Sequence, residues 1–366
     1  VSFVTPVALL HQRAYPSNNL LKSSIGRGPG WIDLAVIGAV FVLIGLVVNL
    51  AGGMGVRFDD LHPPALSLDV RLIPYYTGRT VLRMFIAFGA SLLFTLVYGY
   101  VAAKSRPARV IMLPVIDILQ SVPVLAFLSI TVTGFIALFP GSLLGVECAS
   151  IFAIFTAQAW NMTFGFYHSM VTIPPELQEA ARVYRLTRWQ RFGTVELPSA
   201  AISLMWNSMM SFGGGWFFVA ASEAITLPNK SIKLPGLGSY MAAAVEAGDR
   251  RAAIYAIIAM VITIVGIDQI LWRPLVAWAE RFKLEQTESA STQGSWMLDL
   301  LRGSMLLSWL SDNVWSPLGR KLGRMFSAGA EISAAPFARA PGFVRQILRA
   351  AGWIVLAVII VWMLFG

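Results

Sequence analysis

An all-α, polytopic membrane fold is predicted by three observations. Hydrophobic residues fill 57% of the 366 positions and charged residues only 13%, with a mean hydropathy of +0.68; a soluble domain carries about 25% charged residues. Six stretches are apolar over the length a bilayer core demands, about 20 residues per helix. Between the fourth and fifth of these lies a strongly polar insert, Glu179 to Pro198, EAARVYRLTRWQRFGTVELP. Lipid is the main solvent of such a chain, and the polar insert is a surface outside it.

The elements follow in order. Residues 1–30 begin with VSFVTPVALL, which has no basic region before it and no small-residue cleavage site, so a cytoplasmic N-terminal segment is expected, not a signal peptide. The six spans are Trp31 to Leu50, Thr80 to Ala103, Val122 to Phe139, Cys148 to Ser169, Ala200 to Ala221 and Ala252 to Trp272. They form one domain, residues 31–285. Its polar insert, 174–198, reads as a helical hairpin. Pro174 and Pro175 open the first helix, and Glu176 and Glu179 set negative charge near its N-terminus. A turn falls at Tyr184 to Leu186. Thr187 and Gln190 form a capping box that starts a second helix, and Pro198 is expected to end it.

If the hairpin is cytoplasmic, Arg13, Lys22, Arg27, Lys104, Arg106, Arg109, Arg273, Arg281 and Lys283 fall on the same side, in keeping with the positive-inside bias. Arg57, Arg71, Lys230, Lys233, Arg250 and Arg251 run against it. Residues 286–350 read as a cytoplasmic or interfacial linker: polar and Ser/Thr-rich to Ser295, an interfacial helix from Trp296 to Leu310, then a basic stretch from Arg320 to Arg349. Residues 351–366 begin a seventh apolar helix, and the fifteen residues from Gly352 to Gly366 rise only about 22 Å.

Chemistry is notable for what the residues exclude. The net charge of +9 lies largely beside apolar runs, where lipid phosphates are the natural counter-ions, and nucleic acid is not an expected partner. A helix-turn-helix reading of the hairpin fails because both its ends are tethered to bilayer spans. The sequence has no Gly-x-x-x-x-Gly-Lys-Ser/Thr phosphate loop, so no ATP hydrolysis by this chain is expected. His11, His62 and His168 have no metal-ligand spacing, and neither His-Glu-x-x-His nor Gly-x-Ser-x-Gly occurs. No catalytic residue, metal or cofactor is assigned. Cys148, the single cysteine, forms no internal disulfide.

The hairpin resembles the EAA loop of ABC importer permeases, in which Glu-Ala-Ala is followed after three residues by Gly and after nine more by Ile-x-Leu-Pro. Glu179, Ala180, Ala181, Leu197 and Pro198 match, Val195 replaces Ile, and Arg185 occupies the glycine position. Glycine there would take positive φ cheaply; arginine must find another geometry or accept strain. Further landmarks are similar to the nitrate, sulfonate, taurine and bicarbonate branch: Thr80-Val-Leu-Arg83, Leu119-Gln-Ser-Val-Pro123, Trp216 to Ile225, Leu234-Pro-Gly-Leu-Gly-Ser239 and Asp268-Gln-Ile-Leu-Trp-Arg-Pro274. Members that fuse two permease halves in one chain show the nearest resemblance, which would make residues 351–366 the start of a second half.

The resemblance implies a six-helix type I ABC importer permease domain in the inner membrane, multi-pass with its N-terminus cytoplasmic. It implies as partners ABC ATPase subunits, which use ATP and Mg, an extracytoplasmic substrate-binding protein and a second permease half. It implies a small anion such as nitrate, sulfonate, taurine or bicarbonate as substrate. ATPase coupling is then expected of Glu179, Ala180, Ala181, Arg182, Arg185, Arg188, Val195, Leu197 and Pro198, with Arg191 alongside. An ion-driven secondary transporter or channel, which needs no ATPase, is the alternative, and a nontransporting scaffold, suggested by the linker from Trp296 to Arg349, a third reading.

Polar residues inside the spans are the candidates for a translocation path. Gln158, Asn161, Asn207 and Ser211 either line a route for a small oxyanion or bond helix to helix. Gly213-Gly-Gly215 permits close packing or a local break. Trp216, Phe217 and Phe218 are candidate gate residues or packing residues. Glu223 is either a gate or path residue or a structural one, whereas Asp268 is expected to pack a helix or bond nearby backbone.

Overall fold

The structure is a computed structural model that describes Gly45 and residues 47–55, 66–227 and 230–279. Most of the expected first span, the segment 1–30, the linker 286–350 and the partial helix 351–366 lie outside the described residues. Those described fall into two units, a helical bundle of residues up to 174 and from 196 onward, and a hairpin of residues 175–195.

In the bundle, Asp69 caps a 3₁₀ turn, Val70–Leu72, by accepting from the Arg71 amide at 2.9 Å. The chain then enters α1, Ile73–Lys104, with Pro74 in its first turn, where a missing N–H costs nothing. Ser105 is extended and its hydroxyl caps α2, Arg106–Ser121, from the Ala108 amide. Val122 is extended because Pro123 follows, and α3, Val124–Leu138, begins after it. The expected third span, Val122 to Phe139, is therefore the second arm of a bent pair. Its helix has 15 residues, short of a 30 Å core, and α2 precedes it. The sequence reading missed α2 because its arginines and prolines break the apolar run.

After α3 comes α4, Leu144–Val171, and then the hairpin helices α5, Pro175–Val183, and α6, Arg188–Arg191. Pro198 does not end the second helix. A π-helical turn, Phe192–Glu196, leads directly into α7, Leu197–Glu223, and Pro198 sits in the first turn of α7. The wider i to i+5 pattern ahead of it relieves the proline of both its missing donor and its clash with the preceding turn. Nor does Gly213-Gly-Gly215 break α7, which is helical throughout.

The helical architecture carries one small β element that an all-α reading does not anticipate. Strands β1, Ala224–Leu227, and β2, Lys230–Lys233, pair antiparallel with Ala224 opposite Lys233. Beyond them α8, Leu237–Glu246, turns at Gly248 (φ 68°) into α9, Arg250–Ile267, which Asp249 caps. A π turn, Asp268–Trp272, joins α9 to α10, Arg273–Ala279. Asp268 bonds Gln269 and pairs with Arg273 at 3.5 Å, five residues on.

Among the described residues, Val70–Lys104 and Arg250–Ala279 are long and apolar enough to cross a membrane by length and composition alone. Helices α4 and α7, 28 and 27 residues, are somewhat shorter and carry polar residues on their packed faces. Helix α1 runs parallel to α4, with Arg83 beside Glu147, Ser91 beside Phe155 and Thr95 beside Thr163. Helix α7 runs antiparallel to α4, with Ser150 beside Ser222 and Asn161 beside Ser211. One end of the bundle thus gathers Lys104, Val171 and Leu197; the other gathers Arg79, Glu147 and Glu223.

Apolar packing between these helices centres on Met84, Ile154, Phe212, Trp216 and Trp272, with the Phe212 and Trp272 rings 5.4 Å apart. A second cluster, Tyr76, Leu237, Tyr240 and Ala256, seats α8 and α9 against α1. By contrast α9 leaves Ile258, Val261, Ile262 and Val265 exposed, a face suited to lipid or another apolar helix.

Glycine permits the closest backbone approach. A Cβ on Gly238 would stand 2.5 Å from the Ala220 carbonyl oxygen and 2.6 Å from its Cα, whereas one on Gly266 would meet nothing within 4 Å. Gly238→Ala is therefore expected to cost about 1–3 kcal/mol. Gly266→Ala, inside α9 with open space around it, is expected to stabilise by about 0.5–1 kcal/mol. Thermal unfolding in detergent measures both.

Candidate functional site

The hairpin is built by local chemistry. Helix α5 closes with two bonds: the Leu186 amide donates to the Ala181 carbonyl at 3.0 Å and the Arg185 amide to the Arg182 carbonyl at 2.9 Å. This is a Schellman closure, in which the residue after the cap takes the left-handed conformation, usually as glycine. Here that residue is Arg185, with φ 49°, the one non-glycine residue of positive φ among those described. The arginine thus keeps the backbone shape of the glycine it replaces and accepts its strain. Helix α6 opens on the expected capping box: the Gln190 amide donates to Thr187 Oγ1 at 3.3 Å and the Thr187 amide to Gln190 Oε1 at 3.0 Å. Arg191 reaches Gln178 at 3.3 Å and ties the second helix to the first.

Glu179, Ala180, Arg182, Arg185 and Arg188 are exposed; Ala181 is buried and Val195 half-buried. Three large apolar side chains stand out among the charges: Val183 at 78% exposure, Trp189 at 57% and Tyr184 at 46%. An aromatic and aliphatic centre rimmed by arginines has the composition of a protein-binding surface. Sequence reasoning picked out the charges and missed this centre, although an exposed tryptophan in a polar insert was visible as a signal.

At the start of α7, outside the hairpin unit, Leu197 and Pro198 are half-buried, and Glu196 before them is 1% exposed. The Glu196 carboxylate accepts from Lys104, the last residue of α1. In the sequence Lys104 stood out only as a basic residue flanking a span, and Glu196 not at all.

The candidate path residues lie along the α4–α7 seam. Asn161 donates to Ser211 at 3.2 Å, Ser150 and Ser222 hydroxyls lie 2.7 Å apart, and Ser203 donates to the Gly165 carbonyl at 3.3 Å. Asn207 packs over Gly165 and bonds its own helix at the Ser203 carbonyl. Gln158, fully buried against Gly215, has no hydrogen-bond partner for either amide atom. The three aromatics separate: Trp216 enters the core with Met84 and Phe212, Phe217 is 63% exposed, and Phe218 packs beside Val132 and Leu234.

Glu223 stands in a fully buried ionic cluster. Arg83 engages Glu147 with two prongs, Nε to Oε2 at 2.5 Å and Nη2 to Oε1 at 2.8 Å, and donates through Nη1 to Glu223 at 2.6 Å. Arg79, one turn earlier, pairs with Glu147 and donates to the Leu50 carbonyl at 2.7 Å. Glu223 also accepts from Thr80 at 2.6 Å and from the Gly238 amide at 2.7 Å, while Thr80 accepts from the Leu237 amide at 2.9 Å. Arg83 reaches the Pro235 carbonyl at 2.9 Å, and Ser239 the Glu223 carbonyl at 2.6 Å. Any side chain at Gly236 would occupy the place of the Glu223 carboxylate. Two cations and two anions cancel, and one cluster ties α1, α4, α7 and the start of α8 together. Thr80 and Arg83 were noticed as landmarks of sequence, Arg79 and Glu147 not at all; arginines four apart at the head of an apolar helix were the available clue.

Among the described residues no three His, Cys, Asp or Glu side chains group to hold a metal.

Residues 95–270 match the family described as binding-protein-dependent transport system inner membrane component. Over this segment the chain is similar to the permeases of ABC importers. It is 27% identical over 232 residues to the nitrate import permease protein NrtB of Leptolyngbya laminosa, the match covering 60% of this chain and 78% of that one. It is 26% identical over 269 residues to a probable ABC transporter permease protein of Brucella abortus, covering 72% and 96%. A solved structure of the MetNI methionine ABC transporter in inward-facing conformations is also similar, at 17% identity and a TM-score of 0.48, covering 58% of this chain and 99% of that one. Such permeases are transport subunits, multi-pass in the inner membrane.

Two predictions follow from the geometry. Replacing Glu147 or Glu223 by glutamine strands a buried guanidinium and is expected to cost about 3–5 kcal/mol, against about 1 kcal/mol or less for Lys233→Gln at the partly exposed Lys233–Glu246 pair. Thermal unfolding in detergent reads the contrast. Arg185→Gly is expected to stabilise the hairpin turn by about 1 kcal/mol, because glycine adopts φ near 49° without strain. Slower hydrogen exchange at the Leu186 amide would report it.

Proposed function

We propose that this permease imports a small anion, that its hairpin is the seat of an ATPase partner on the cytoplasmic side, and that an extracytoplasmic binding protein delivers the substrate. The observation that carries this reading is the exposed hairpin surface. Val183, Tyr184 and Trp189 supply apolar area, and Arg182, Arg185, Arg188 and Glu179 supply charge-assisted hydrogen bonds around it. Such a surface is costly to leave in water and suits a groove of complementary charge on another protein.

Placing the hairpin in the cytoplasm puts Lys104, Arg106 and Arg109 there as well, and puts the Arg79, Arg83, Glu147 and Glu223 cluster at the outer end of the bundle. Helix α1 spans the two levels. A second permease half, from another copy or a homologue, would complete the pathway, since one bundle of this size encloses its own core and leaves the α9 face free. The nitrate import named for one relative supports nitrate as the first anion to test, with taurine and bicarbonate beside it.

Glu179→Lys reverses the one negative charge at the exposed centre of α5. The chain should keep its melting temperature, lose the ATPase on co-purification, and lose ATP-dependent accumulation of all three anions in proteoliposomes. Full retention of complex and uptake in this variant would refute the docking role of the hairpin.

A further inference from the structure

Resting on the reading of this chain as an ATP-coupled permease, we infer that the Lys104–Glu196 ion pair is the joint that passes displacement of the hairpin's exit into α1. Glu196 follows Val195, the last residue of the hairpin, and begins the helical run into α7. Its carboxylate is buried and held by the Lys104 ammonium, whose own side chain is 35% exposed and lies 5.7 Å over the Tyr100 ring. A buried carboxylate separated from its cation is strongly disfavoured, so a displacement of Glu196 carries Lys104 with it.

The end of α1 is built to receive such a pull. Arg109 of α2 donates to the Ala102 carbonyl at 3.3 Å and the Ala103 carbonyl at 3.0 Å, which stiffens the last turn, and its guanidinium lies 5.6 Å over the Tyr167 ring of α4. From Lys104 back to Arg83 the helix is a rod of about 32 Å. At its far end Arg83 and Thr80 hold Glu223, the last residue of α7. Helices α1 and α7 are therefore tied ionically at both ends, once through Lys104–Glu196 and once through Arg83–Glu223. They move as a pair. Lys104 and Glu196 are positioning residues: they touch no substrate and act through α1.

The test uses the full chain in complex with its ATPase, with Cys148→Ser and Tyr75→Cys to carry an environment-sensitive fluorophore at the far end of α1, where Tyr75 is exposed. In the parent complex, trapping with ATP and vanadate is expected to change the emission. Glu196→Gln and Lys104→Met are expected to keep the ATPase bound and hydrolysing and to lose this response. Lys104→Arg should keep it, and the exchange Lys104→Glu with Glu196→Lys should restore it. An undiminished response in the single variants, a response lost in Lys104→Arg too, or loss of folding that the exchange does not rescue would overturn the joint. A parent complex that holds ATPase but shows no response would overturn the joint alone. A parent chain that binds no ATPase would overturn the permease reading and the joint together.

Discussion

Two arginines one turn apart in an apolar helix must find counter-charges within reach, because an unpaired guanidinium away from water is among the most expensive groups a fold can contain. Arg79 and Arg83 find them in Glu147 and Glu223, 64 to 140 residues away in sequence. That requirement orders the bundle. It sets α1 parallel to α4 and antiparallel to α7, and it draws the chain after β2 inward so that the Gly238 and Leu237 amides complete the cluster. Apolar packing in lipid has no hydrophobic drive of its own, so ionic and hydrogen-bonded contacts of fixed geometry specify the register that packing then fills.

Charged ties at the two ends and a weakly polar seam between them give the bundle a graded character. Lys104–Glu196 and Arg83–Glu223 are strong and directional, whereas the α4–α7 seam is held by single hydroxyl and amide contacts such as Asn161–Ser211. Gln158 lies in that seam with its amide unmatched. The bundle is thus held by ion pairs at its ends and by single neutral hydrogen bonds between them.

What could be read from the sequence was what is local. The capping box at Thr187 and Gln190 is a contact over three residues, and the turn at Tyr184 to Leu186 follows from the same spacing, so both were legible. The strain at Arg185 was legible as an alternative, and the structure resolves it in favour of positive φ. Pro198 misled, because the rule that proline stops a helix assumes an α turn before it, and a π turn stands there instead. The cluster at Glu223 was out of reach: its partners come from four segments, and nothing in a local pattern says which distant charge an arginine will meet.

Electron cryomicroscopy of the chain purified in lipid discs with its ATPase tests the central claim most directly. The account predicts the ATPase seated on Glu179 to Trp189, on the side of the membrane reached by Lys104, with Arg83 still bonded to Glu147 and Glu223 at the opposite end. An ATPase bound elsewhere with the hairpin free, or a hairpin on the same side as the Glu223 cluster, would contradict it.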